Sequence, residues 1–168
     1  VTKPPMYPWL GAIAVKVTGS TNEWVLKLPL ILATVVITLI VFDLARRKAG
    51  PWGALIAAGA WIANFHVLKL CYTARTDMLV SMWVAAALWC VEVQCEGWRT
   101  RRASDNERMS SLWLIAVFWV CISAGALTKG PVVLLPIIWL AGRIAVARRW
   151  KAARLGWQAA GFVLCLAL

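Results

Sequence analysis

Charged residues, and acidic ones above all, are scarce in this sequence of 168 residues. Only 15% of the residues are charged, and seven Asp and Glu stand against eighteen Lys and Arg. A typical soluble domain is about one quarter charged. The apolar fraction is high, at 62%. A soluble domain of this size needs more polar surface than these residues supply, so hydrocarbon must be the solvent for much of the chain.

Patterns that indicate disulfides, metals or nucleic-acid binding are also lacking. The five cysteines form no C-x-x-C pair, and most lie in apolar stretches, where a thiol behaves as a small apolar group. The sequence therefore predicts no disulfide, no metal site and no bound cofactor. The net charge of +11 comes from short basic runs between apolar stretches. Such runs do not make one continuous basic face, which argues against a nucleic-acid partner.

The two ends of the sequence lack features of a complete membrane protein. Val1 is not an initiator Met, and no basic segment or signal-peptide cleavage site follows it. The last apolar run, 155–168, has 14 residues, fewer than the roughly 20 needed to span a bilayer. We therefore expect the sequence to be part of a longer protein.

A series of long apolar runs dominates the rest of the sequence. They predict an all-α, polytopic bundle of transmembrane helices between residues 28 and 168, with five complete spans and a truncated sixth. The predicted spans are about 28–45, 51–72, 78–93, 112–128, 131–147 and 155–168. Residues 1–27 contain a shorter apolar stretch that cannot span a bilayer. We expect this segment to lie along the extracytoplasmic membrane interface.

The basic residues are distributed unevenly between the predicted loops. If successive spans alternate in direction, the loops after the first, third and fifth spans share one side. With the adjacent helix ends, that side holds twelve of the eighteen Lys and Arg, and the positive-inside rule places it in the cytoplasm. Asp43 and Glu92 would lie near this side and are expected to pair with adjacent arginines.

Three short clusters remain on the predicted extracytoplasmic side, and they contain Lys3, Arg75 with Asp77, and Lys129. Two lysines and an arginine at a membrane surface favour an anion such as phosphate. Asp77 could fix the guanidinium of Arg75 or bind a substrate hydroxyl. Each cluster also has a structural interpretation: a solvated charge for Lys3, an interfacial lysine for Lys129, and a turn-closing ion pair for Arg75 and Asp77.

Four segments in order resemble motifs from the N-terminal membrane region of a bacterial glycosyltransferase family: Lys3–Leu10, Glu23–Pro29, Ala74–Asp77 and Thr128–Pro131. These are GT-C-type enzymes related to the aminoarabinose transferase that modifies lipid A and to protein O-mannosyltransferases. The resemblance extends from residue 3 to about 140. It implies a multi-pass enzyme of the bacterial inner membrane. Such an enzyme moves a sugar from a polyprenyl-phosphate donor to a lipid or protein acceptor on the extracytoplasmic face.

The resemblance also implies roles for particular residues. Lys3, Arg75 and Lys129 would contact the lipid phosphate or its surroundings, and Asp77 would orient Arg75 or a substrate group. The family's catalytic carboxylate would precede Val1. A transporter or flippase-like protein for a lipid-linked anionic substrate is the competing function, although charges at helix ends and the lack of an internal repeat are less typical of that class. A purely structural membrane subunit is the third possibility.

Overall fold

The chain folds into helices throughout the part that the computed structural model describes, which comprises residues 6–73, 75–99, 105–129, 131–147 and 158. Within these ranges there is no strand. The elements are α1 (Met6–Thr18), α2 (Glu23–Ala63), α3 (Phe65–Tyr72), α4 (Asp77–Arg99), α5 (Asp105–Lys129), a 3₁₀ turn (Pro131–Val133) and α6 (Leu134–Ala147). The predicted sixth span lies outside the described residues, apart from position 158.

Three of the helices are long and apolar enough to cross a membrane. They are Glu23–Ala63, Asp77–Glu96 and Leu112–Lys129, and the apolar part of α6 is shorter. Their outward faces carry large apolar side chains that stay exposed in the bundle, such as Leu39, Ile56 and Val120. Such faces suit contact with hydrocarbon. The prediction of an all-α membrane helix bundle is confirmed.

Helix α2 is interrupted at Gly50, where the chain reverses direction. Gly50 has φ 73° and ψ −175°, a backbone conformation that is essentially confined to glycine. Pro51 follows, and proline suits the first position of a helical segment. Residues on both sides of the break share one buried cluster, which includes Leu30, Ala33, Ile37 and Val67. The connection between the predicted spans 28–45 and 51–72 is therefore a single non-helical residue.

A second interruption, at Asn64, divides the predicted span 51–72. Asn64 is extended, with φ −68° and ψ 118°. Its side-chain Oδ1 accepts a hydrogen bond of 2.8 Å from the backbone N–H of His66. Asparagine is a preferred N-cap because its side chain satisfies an amide that has no partner within the helix. Helix α3 therefore begins anew at Phe65 instead of continuing α2.

The core of the bundle lies between α4 and α5, with α6 beside them. Phe118 is fully buried, and its ring meets that of Trp119 edge-on at a centroid distance of 5.3 Å. The same cluster includes Ala87, Cys90, Val91, Ile122, Leu140 and Ile144. The indole N–H of Trp119 also donates to Oε1 of Gln158 at 2.9 Å. These contacts pack α5 against α4 and α6.

Contacts at the helix ends give the relative directions of α2, α4 and α5. The first arm of α2 runs parallel to α4, because its start packs near Met78 and its later residue Asp43 contacts Trp89. Helix α5 runs antiparallel to α4, because its last residue, Lys129, pairs with Asp77, the first residue of α4. The bundle therefore has two ends, and each end carries its own group of charged side chains.

Candidate functional site

The first charged group, which we call the junction, consists of Arg75, Asp77 and Lys129. A turn leads into α4, in which the backbone carbonyl of Arg75 accepts a hydrogen bond of 3.4 Å from the N–H of Met78. The residues that directly follow Asp77, namely Met78, Leu79 and Val80, are all buried. Burial of these residues fixes the start of α4 in the core. Asp77 is therefore held in a defined position at the end of the bundle.

Close packing of the preceding residues fixes the backbone of Lys129 at the other side of the junction. Its neighbour Thr128 is buried, and the Thr128 hydroxyl donates to the carbonyl of Ala124 at 2.7 Å. One turn earlier, Gly125 faces the 3₁₀ turn so closely that a Cβ at this position would collide with Cγ1 of Val133. A residue without a side chain lets α5 and the 3₁₀ turn approach at this point.

Lys129 and Asp77 form an ion pair across the junction, with the ammonium of Lys129 donating to Oδ1 of Asp77. The Arg75 side chain is exposed. Among the residues that the structure describes, no carboxylate forms an ion pair with it. The partner of Asp77 is thus Lys129 and not Arg75, which is two residues away in sequence. Lys3, the third predicted cation, lies outside the described residues, as does Gly130.

The second charged group, which we call the basic end, links α2, α4 and α6. It consists of Asp43, Arg47, Lys48, Glu92, Glu96 and Arg143. Asp43 accepts hydrogen bonds of 2.8 Å from both Arg47 and the indole of Trp89. Arg47 also reaches Glu96 at 2.9 Å. Glu92 pairs with Arg143 at 3.4 Å and Lys48 at 3.6 Å, and accepts from the indole of Trp139 at 3.0 Å.

Asp43 pairs with the adjacent Arg47, as predicted, but the partners of Glu92 are Arg143 and Lys48, which are not adjacent to it in sequence. The Glu92 partners come from two other helices, α2 and α6. The carboxylates at this end neutralise much of the positive charge on Arg47, Lys48 and Arg143. The junction has a different balance, since its single described ion pair leaves Arg75 without a carboxylate. The guanidinium of Arg75 is therefore available to an added anion at the junction.

Helix α1 packs against the start of α2 and leaves a groove between them. The hydroxyl of Tyr7 donates to the carbonyl of Leu26 at 3.1 Å. The groove has a volume of about 400 Å³, and Lys16 is the one charged residue among those that line it. Nearby, Lys27 is buried, pairs with Glu23 at 2.5 Å, and lies 5.6 Å from the ring centroid of Trp24. These contacts indicate that Lys27 stabilises the start of α2.

Metal ligands do not converge within the described part of the chain, where no group of three or more His, Cys, Asp or Glu residues could hold an ion. Cys90, Cys95 and Cys121 are buried free thiols. At the junction the described residues offer one guanidinium, one ammonium and one carboxylate.

Comparisons with known proteins match most of the chain. The undecaprenyl phosphate-alpha-4-amino-4-deoxy-L-arabinose arabinosyl transferase of Edwardsiella ictaluri (strain 93-146) is 28% identical over 151 residues, which is 89% of this chain and 26% of that protein. The chain thus spans about a quarter of the length of this curated relative. No solved structure matches the chain.

The family comparison confirms the resemblance seen in the four sequence motifs. The sequence model of the family described as dolichyl-phosphate-mannose-protein mannosyltransferase matches residues 2–168. This match includes every segment that carries the resemblance, and it includes the junction. The chain belongs to the dolichyl-phosphate-mannose-protein mannosyltransferase family.

Proposed function

We propose that the chain is part of a membrane glycosyltransferase and that the junction receives the phosphate of a polyprenyl-phosphate sugar donor. The family description names a lipid-phosphate-linked sugar, and the name of the relative from Edwardsiella ictaluri names another. The observation that carries the proposal is the position of Arg75, exposed and without a described carboxylate beside the Asp77–Lys129 pair. This arrangement leaves positive charge available at one end of a membrane bundle.

The junction has groups that suit the transfer of a sugar from a lipid phosphate. As the bond between sugar and phosphate breaks, negative charge develops on the phosphate oxygens. Fixed cations close to those oxygens stabilise the transition state more than the ground state. The guanidinium of Arg75 can bind two phosphate oxygens at once, and the ammonium of Lys129 supplies a compact charge. Lys3 would add a third cation from the segment before α1.

The uneven distribution of basic residues supports an orientation for this site. Under the positive-inside rule the basic end faces the cytoplasm, so the junction faces the extracytoplasmic side of the bacterial inner membrane. A lipid or protein acceptor would approach from that side, and α1 would lie along the same membrane surface. The carboxylate that activates the acceptor is expected from another part of the whole protein.

Sugar transfer in membranes that contain the full-length protein tests this function. The donors would be undecaprenyl phosphate carrying radiolabelled 4-amino-4-deoxy-L-arabinose or mannose, offered with lipid and protein acceptors. We expect Arg75→Ala and Lys129→Ala each to reduce transfer at least roughly tenfold, as loss of a charged hydrogen bond to a phosphate would. Arg46→Ala is the matched control, because Arg46 is an exposed arginine near the basic end.

Two results would contradict the proposal in different ways. If both variants fold and keep wild-type transfer, the enzyme stands but the phosphate does not bind at the junction. If no donor supports transfer and labelled lipid crosses the bilayer instead, the transporter becomes the better interpretation. The break at Asn64 is the one observation that favours a transporter, because such proteins use discontinuous helices around their substrates. The charged groups at the helix ends favour the enzyme.

A further inference from the structure

The charge of the junction is lower than its two cations alone would give. Arg75 and Lys129 contribute two positive charges and Asp77 removes one, so the described junction has a net charge of +1. A carboxylate at this position repels phosphate and so lowers the affinity of the site for it. The presence of Asp77 directly on one of the two cations therefore requires a reason other than affinity.

The ion pair itself contributes little to the stability of the fold. The side chains of Lys129 and Asp77 are 50% and 32% exposed, and ion pairs with this much solvent contact contribute little to stability. Each charge lies at a helix end whose dipole favours it, with Asp77 at the start of α4 and Lys129 at the end of α5. The pair therefore persists without being needed to hold the helices together.

The geometry of the pair leaves Lys129 able to bind an anion. An ammonium has three N–H donors, and one of them is directed at Oδ1 of Asp77. The other donors remain for a phosphate oxygen. Asp77 thus acts on Lys129 in two ways, since it fixes a long, flexible side chain and also reduces the positive charge that a bound phosphate experiences.

We propose that Asp77 is a positioning and charge-setting residue, which lets the junction hold the phosphodiester of the donor but release the phosphate monoester of the product. This inference rests on the proposed function. In the transfer, the acceptor hydroxyl oxygen forms a bond to the anomeric carbon while the bond from that carbon to the phosphate oxygen breaks. The electron pair of the broken bond goes to the lipid phosphate, and the hydroxyl proton goes to a base and then to water.

The transfer changes the charge of the lipid phosphate at the junction. The donor is a phosphodiester with a single negative charge. The product is a monoester with a charge of about −1.5 to −2 at neutral pH. Because Coulomb energy is proportional to each charge, one added positive charge at the site attracts the product about twice as strongly as the donor. Asp77 therefore weakens the binding of the product more than the binding of the donor.

The experiment compares donor and product binding in membranes that contain the full-length protein. The Michaelis constant is measured with undecaprenyl phosphate carrying radiolabelled 4-amino-4-deoxy-L-arabinose or mannose, and the inhibition constant with undecaprenyl phosphate. For Asp77→Asn we expect the inhibition constant to fall roughly tenfold and the Michaelis constant roughly threefold. We expect kcat to fall because product release slows. Asp77→Glu keeps the charge and should restore values close to the wild type.

Two further variants separate charge from structure. Asp43→Asn is the matched control, because it removes a carboxylate from an ion pair at the basic end and should leave both constants unchanged. Lys129→Gln in the Asp77→Asn background restores a net charge of +1, so the inhibition constant should rise again toward the wild-type value. Lys129→Gln alone lowers the charge and should weaken product inhibition below that of the wild type, even if Asp77→Asn does not fold.

Several outcomes would overturn the inference. If Asp77→Asn weakens donor and product binding equally, Asp77 only positions Lys129. If the ratio of the two constants stays the same in Asp77→Asn and in Lys129→Gln, while Arg75→Ala abolishes transfer, the proposed function stands and the charge-setting role is refuted. If the wild-type protein transfers no sugar from any donor, the proposed function fails, and the inference that rests on it fails as well.

Discussion

Replacement of Gly125 by alanine is the sharpest test of how the bundle end is packed. A Cβ at this position would collide with Cγ1 of Val133 and lie 3.3 Å from Cβ of Trp83. Val133 is buried and β-branched, so its methyl group cannot rotate away freely. We expect overpacking at this site to lower the free energy of unfolding by about 1–3 kcal/mol.

The helix propensity of alanine opposes part of this loss, and a matched glycine measures it. Alanine is favoured over glycine within a helix by roughly 1 kcal/mol. Gly59→Ala carries the same gain without a collision, because nothing lies within 4 Å of a Cβ at that position. The difference between the two variants isolates the collision energy. Unfolding of the detergent-solubilised protein, followed by circular dichroism during titration with dodecyl sulfate, measures both variants.

A double-mutant cycle identifies Val133 as the cause. Val133→Ala removes the methyl group that the new Cβ would meet, so it should restore most of the stability lost by Gly125→Ala, with a coupling energy of about 1–3 kcal/mol. Sugar transfer should follow the same pattern, because Gly125 lies one turn before Lys129. The packing argument is refuted if Gly125→Ala is as stable as Gly59→Ala, or if the effects of the two substitutions simply add.

Two further substitutions test the basic end and the chain reversal. Glu92→Gln keeps an acceptor for the indole of Trp139 but loses its ion pairs with Lys48 and Arg143. Glu92 is only 11% exposed, but the two cations are 64% and 39% exposed and stay solvated when the pairs are lost. We therefore expect a loss of about 1 kcal/mol in the same unfolding assay; a loss that persists undiminished in high salt would contradict this reasoning. Gly50→Ala forces alanine into a glycine conformation and should cost about 1–3 kcal/mol, measured against Gly59→Ala. Equal stability of these two variants would show that the reversal does not depend on glycine.

Local patterns in the sequence predicted the class of fold and two helix ends that meet at the candidate site. Long apolar runs are a strong signal of membrane helices because the bilayer fixes their length. Because successive predicted spans alternate in direction, Arg75 and Lys129 were expected at the same end of the bundle. In the structure, Lys129 at the end of α5 pairs with Asp77 at the start of α4, two residues after Arg75. The motifs around these residues also predicted the family.

Features that depend on packing between distant segments were not predictable in the same way. Asp77 has an arginine two residues away, but its partner is Lys129, which is brought near only by the antiparallel packing of α4 and α5. One asparagine within a long apolar run barely changes its hydropathy, so the break at Asn64 was not predicted. The sequence signal for this break was that asparagine is a preferred N-cap residue, at which a new helix can begin. The partners of Glu92 depend on two other helices for the same reason.

The reversal at Gly50 constrains how this part of the protein enters the membrane. One non-helical residue joins the two arms of α2, so there is no spare chain between them. When one arm lies in the bilayer, the start of the other arm is therefore held at the membrane surface. We therefore expect the two arms to insert together as a helical hairpin, so that the more apolar first arm helps the second arm to enter despite the exposed asparagine near its end. Lengthening the connection at Gly50 would release the arms to insert one at a time.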